Sequence, residues 1–144
     1  MNKTIPPDVI SKLISAINSN ERVSPFEDDA ICAPTGSRVI CTPPVMNTDE
    51  DWLVFIPYSM LDFGNEFLEK AGATHSKEQE HYPDGVVWWL GNLNIIALYD
   101  YNIFYRWVAA TYWANKMNLL SKHDRKEFFG AMIDMRPSIY SLTL

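Results

Sequence analysis

The feature that most limits the fold is the passage from Asp49-Glu50-Asp51 into Trp52-Leu53-Val54-Phe55-Ile56, which reads as an extended strand entered through an acidic step. Successive side chains of a strand project to opposite faces, so Asp49 and Asp51 share one side and Glu50 takes the other. Two carboxylates this close repel each other and raise a pKa unless a cation lies between them. A hard divalent ion relieves the repulsion, because Mg²⁺ takes oxygen ligands and is commonly held by one or two carboxylates together with substrate phosphates. The apolar run behind the pair offers such a site a rigid, dry footing.

Ser37 stands twelve positions before Asp49, within Gly36-Ser37-Arg38, and Pro34-Thr35-Gly36 just ahead of it encodes a turn. Ser37 either caps a helix start or sits in the turn itself; in both cases backbone N–H groups near it can face an anion. A Gly-Ser turn, a gap of about a dozen residues, Asp-x-Asp and a following apolar strand together resemble the core motif of the polymerase-β-type nucleotidyltransferase superfamily. The resemblance implies that Gly36 and Ser37 meet the triphosphate of a nucleotide and that Asp49 and Asp51 bind Mg²⁺ at the catalytic centre. Arg38, directly after the turn, is a cation for phosphate. So is Arg106, preferred over Lys116, Lys122, Arg125 and Lys126 because a guanidinium suits bidentate phosphate contacts.

In the superfamily a third carboxylate comes from a later strand, in an apolar-Asp-apolar pattern, and takes the proton from the attacking hydroxyl. The matching place here is Leu93-Asn94-Ile95-Ile96, which offers an amide. Asparagine is neutral and binds a hard cation more weakly than a carboxylate does, so a metal ligand and a general base are removed together. Asp100 shares the strand face of Asn94 by parity and can reach in from the strand end, or it can serve as N-cap of a helix beginning at Tyr101. Asp84 is a third candidate, or a turn residue. The stretch from Asn92 through Phe129, with Phe104-Tyr105-Arg106-Trp107, Asn118-Leu119-Leu120 and Asp124-Arg125, resembles small phage-encoded nucleotidyltransferase-like proteins, which also carry Asn in that strand.

With 144 residues the chain fits one domain, and 47% hydrophobic against 21% charged residues excludes a disordered polymer. The pattern reads as an α+β fold, a small mixed β-sheet flanked by helices, and the resemblance makes it a minimal nucleotidyltransferase fold. A helix over 8–18 precedes a core over 30–100 and a C-terminal helical pair over 101–135. Net charge −6 and a pI near 4.9 argue against an extensive nucleic-acid surface, while a nucleotide remains compatible because metal and a few local cations neutralise its phosphates. Two cysteines, Cys32 and Cys41, are too few for a disulfide scaffold and read as free thiols. There is no apolar run of membrane-spanning length and no leader-like segment, which gives a cytoplasmic expectation, the host cytoplasm if the chain is viral.

Further along, Val9, Ile10, Leu13, Ile14 and Ile17 form one helical stripe after Pro6-Pro7. Ala30 to Ala33 reads as a short strand, and Pro43-Pro44 forbids a regular helix through 39–46. Ser59 and Asp62 have capping-box spacing ahead of a helix closed by Gly72. The segment 73–83, with His75 and His81, reads as a solvated loop and is poor as a zinc site. Gly91-Asn92 between two extended runs marks a hairpin. Aromatic residues crowd into 88–113, where the densest packing is expected. The tail from Arg136 to Leu144 is either an edge strand or a partner-binding arm.

Three functions follow. The first is a protein that binds a nucleoside triphosphate through Mg²⁺ and, if active as a nucleotidyltransferase, moves a nucleoside monophosphate to a hydroxyl acceptor. The second is a catalytically inactive relative of that fold that binds a nucleotide or a host protein partner, favoured by Asn94 and by the Pro43-Pro44 interruption. The third is a structural or inhibitory phage protein whose aromatic surface docks on a host factor.

Overall fold

A computed structural model describes residues 5–21, 26–42, 49–75 and 85–133. Helix α1 (Asp8–Asn18) starts where Pro7 offers its carbonyl to the N–H groups of Ile10 and Ser11, and it buries Ile10, Leu13 and Ile17 along one stripe. The Asn18 amide then grips Ala30, donating to its carbonyl at 3.0 Å and accepting from its N–H at 2.8 Å. This fixes the entry to strand β1 (Ile31–Thr35). The strand runs two residues past the expected Ala33, through Pro34. It lies at the edge of the sheet, the position in which a strand accommodates proline. Helix α2 (Ser37–Ile40) follows Gly36 directly, so the Pro43-Pro44 pair does not prevent a helical turn after the glycine; the pair itself lies outside the described residues.

Strand β2 (Glu50–Phe55) leads through a 3-10 turn (Tyr58–Met60) to helix α3 (Leu61–Lys70). The expected capping box is absent. The Ser59 hydroxyl donates to Glu27, and no side chain caps the helix start. Gly72, at φ +94°, closes α3, with the N–H of Ala73 bonded to the carbonyl of Leu68. Thr74 and His75 are not a solvated loop but a two-residue strand, β3 (Thr74–His75), with the His75 ring 4.4 Å from that of Trp88. Strands β4 (Gly85–Leu90) and β5 (Leu93–Leu98) form the hairpin expected at Gly91-Asn92, and Gly91 takes the positive φ of +60° that the turn needs.

The sheet order is β1-β2-β5-β4-β3, with β2 and β5 parallel and the other neighbours antiparallel. It is a mixed sheet flanked by helices, the α+β architecture read from the sequence. Helices α1 and α3 cover one face, where Trp52, Val54, Ile56 and Ile95 meet Ile10, Leu13, Ile17 and Leu68. On the other face Leu53, Phe55, Ile96 and Leu98 meet Phe104 and Trp107 of helix α4 (Tyr101–Lys116), with Phe129 and Ile133 of helix α5 (Lys122–Ile133) at the margin. The aromatic-rich stretch 88–113 is not uniformly interior. Trp88 and Trp107 are buried, whereas Trp89, Tyr105, Tyr112 and Trp113 are exposed. Among the described residues no helix is long and apolar enough to cross a membrane.

Candidate functional site

The acidic pair lies where β2 and β5 begin side by side. Strand parity sorts the carboxylates as the alternation requires. Glu50 shares the Trp52 face and accepts a 2.8 Å hydrogen bond from the Trp52 indole nitrogen, while Asp51 shares the face of Leu53 and Phe55. The parallel register sets Asp51 opposite Asn94. The Asn94 amide nitrogen donates to Asp51 Oδ1 at 2.9 Å and stands 3.5 Å from Asp49 Oδ2, so both carboxylates converge on one positively polarised group. The Asn94 Oδ1 atom is buried and, among the described residues, accepts no hydrogen bond.

Asp51 also faces the turn after β1. Its antiparallel partner is Thr35, and the next residue, Gly36, adopts φ +81°. A Cβ placed on Gly36 would lie 2.0 Å from Asp51 Oδ2, so only glycine lets the turn close over this carboxylate. The Gly36 carbonyl accepts from the N–H groups of Val39 and Ile40, which starts α2 and puts Ser37 and Arg38 beside the acidic pair. Arg38 Nη1 lies 4.0 Å from Glu50 Oε1. Burial pushes the Asp51 pKa up; the Asn94 hydrogen bond pulls it back, Asp49 raises it further and the Arg38 charge lowers it.

Gly36, Ser37, Arg38, Asp49 and Asp51 are thus gathered at one corner. Arg106 is exposed, and its Cα is five residues, about 7.5 Å of helix axis, before Thr111, the α4 residue that faces Thr35. Asp100 is the helix cap: its Oδ1 accepts from the N–H groups of Asn102 at 2.8 Å and Ile103 at 3.3 Å. It stands six residues beyond Asn94, about 20 Å of extended chain, at the opposite end of β5. Asp84 lies outside the described residues. Among the described residues no group of three or more His, Cys, Asp or Glu side chains is placed to hold a metal ion.

Oxygen ligands from Asp49 and Asp51 nevertheless suit a hard cation. Turning the Asn94 amide by half a rotation would replace the nitrogen that now meets them with its unpartnered oxygen.

Three residues to which motif reading gave no role hold the turn in place. Thr35 and Thr111 are the buried polar side chains among the described residues, and their hydroxyls lie 2.7 Å apart. Thr111 donates to the Trp107 carbonyl, so the Thr35 hydroxyl is the donor between the pair. One helical turn on, Asn115 donates to the carbonyls of Val39 at 3.1 Å and Ile40 at 3.3 Å, at the end of α2. The one sequence signal was the spacing of Thr111 with Trp107 and Ala114 on the buried stripe of α4. No protein-family model, curated protein or solved structure matches this chain.

Proposed function

We propose that this chain is a nucleotidyltransferase-fold protein that binds a nucleoside triphosphate through Mg²⁺ held by Asp49 and Asp51. The observation that carries the reading is the convergence of those two carboxylates on one side of β2, against a Gly36 turn that tolerates no side chain. When bound, the ion supplies neutralising charge to the triphosphate oxygens. The chain's own residues do the positioning. The Gly36 turn brings backbone close to the phosphates, Ser37 offers a hydroxyl donor, and Arg38 adds positive charge beside the acidic corner. Leu53 and Phe55, on the face that carries Asp51, exclude water behind the site.

Moving a nucleoside monophosphate to a hydroxyl acceptor requires a group that takes the acceptor's proton. Asn94, in register with Asp51, cannot do so, and Asp100 is occupied as a cap at the far strand end. These two observations favour a second reading, in which the chain is a catalytically inactive member of the fold that binds nucleotide or a host protein. Either way the expected setting is the cytoplasm of a cell, the host cell if the chain is phage-encoded.

The experiment is a binding titration of nucleoside triphosphate with and without Mg²⁺, followed by incorporation of labelled nucleotide, on the wild type and on Asp49→Ala and Asp51→Ala. Binding that depends on Mg²⁺ and weakens about tenfold or more in both variants is expected, consistent with loss of a charged ligand worth about 1.4 kcal/mol or more. Transfer in the wild type selects the first reading, and binding without transfer selects the second. Absence of Mg²⁺-dependent binding overturns the first reading and the nucleotide-binding form of the second.

A further inference from the structure

The net charge of −6 hides a segregation along the chain. Between Asp100 and Asp124 there is no acidic residue, while Arg106, Lys116 and Lys122 fall within that stretch. Helix α4 turns Phe104, Trp107, Ala110, Thr111 and Ala114 inward. The opposite side carries Tyr105, Tyr112 and Trp113, which are 50%, 45% and 53% exposed, together with exposed Arg106 and Lys116. Large rings left half open in this way are ready-made contact surfaces. The cations are interleaved with them: Lys116 Nζ lies 5.3 Å from the centre of the Tyr112 ring, and the Tyr112 and Trp113 rings meet edge to face at 5.2 Å. Tyr105 and Tyr112 are seven residues apart, about 10 Å along the helix.

We propose that this outer face of α4 binds single-stranded nucleic acid. Bases would stack on Trp113, Tyr112 and Tyr105, and Arg106 and Lys116 would meet the backbone phosphates. Charge complementarity selects this occupant: a polyanion answers a helix that contributes cations and no carboxylate of its own, on a chain whose net charge is otherwise acidic. The face is small, so the expected binding is local and salt-sensitive. It is independent of the nucleotide corner, because none of its side chains touches Asp49 or Asp51.

The test uses the full chain and fluorescence anisotropy of labelled oligo(dT) and oligo(U), with Asp51→Ala as a control that keeps the α4 face intact. Binding to wild type and Asp51→Ala alike is expected, falling about tenfold between roughly 50 and 200 mM salt, as about two phosphate contacts imply. Trp113→Ala and Tyr112→Ala should each weaken it about fivefold or more, the loss of one stacked base. The double change Arg106→Glu with Lys116→Glu should abolish it while thermal unfolding stays as in the wild type. The proposal is overturned if neither oligonucleotide binds at low salt, or if binding ignores Trp113→Ala and Tyr112→Ala. It is also overturned if sedimentation shows that the face pairs two copies of this chain.

Discussion

On the face of the sheet covered by α1 and α3, Trp52, Val54, Ile56 and Ile95 are shut from solvent by helices whose own contact residues are equally buried. On the opposite face the same strands meet α4 well but α5 only at its margin, and α5 contains no fully buried side chain. That second face also carries Asp51 and Asn94 at its end and the exposed aromatics of α4 on its outer side. One strand, β2, therefore serves two purposes through its alternation. Its even-numbered residues Trp52 and Val54, with Ile56 just beyond its end, build stability, and its odd-numbered ones from Asp51 connect a polar corner to a thinner core. The less closed face is the one with room for chemistry.

The contrast can be broken most easily at the two cores. Trp52→Ala on the closed face should cost about 3–5 kcal/mol of unfolding free energy, whereas Phe129→Ala on the open margin should cost about 1 kcal/mol, since partial exposure leaves less to lose. Denaturant titration of both variants checks this, and equal losses would dissolve the distinction.

A smaller effect sharpens the account of the polar corner. Thr111→Val keeps the volume but removes the acceptor of the buried Thr35 hydroxyl, and should cost about 1–3 kcal/mol. Amide hydrogen exchange at Val39 and Ile40 should quicken in that variant, and Thr111→Ser should restore most of the loss. Unchanged exchange would mean that α4 does not hold the turn.

The smallest effect has the opposite sign. Burial raises the Asp51 pKa, so between its unfolded and folded values the native state holds more proton than the unfolded chain, and stability falls as pH rises through that window. Above that window the penalty of ionising this half-buried carboxylate is present in full. Asp51→Asn should then unfold at a higher temperature than wild type near pH 7, with the gain shrinking as pH falls through the raised folded value and gone below about 3.9, the ordinary aspartate value. Thermal melts at several pH values read this directly. A destabilised Asp51→Asn at neutral pH would show that the carboxylate is not strained at rest.

Much of this was readable before any coordinates. The bounds of α1, the β4–β5 hairpin and the shared face of Asp49 and Asp51 follow from periodicity, which is local and strict. What escaped depends on contacts between distant residues. Ser59 has capping-box spacing, yet its hydroxyl is claimed by Glu27, thirty-two positions away. Pro34 looks like a strand end until its edge position is known. The aromatics of 88–113 suggested a dense core because composition does not say which side of α4 each ring occupies. The Thr111 and Asn115 hold on the turn spans 76 residues in each case and leaves no motif.

The central claim is that Asp49 and Asp51 share one cation, and the most direct measurement is a Mg²⁺ titration followed by the side-chain carboxyl carbon resonances of aspartate, in wild type and in Asn94→Asp. The account predicts that the Asp49 and Asp51 signals move together along one binding curve, ahead of the other aspartates, and that Asn94→Asp tightens that curve about tenfold by adding a third carboxylate. If the two signals stay still, or move separately and no earlier than those of exposed aspartates elsewhere, the pair does not hold a metal and the proposed nucleotide site is wrong.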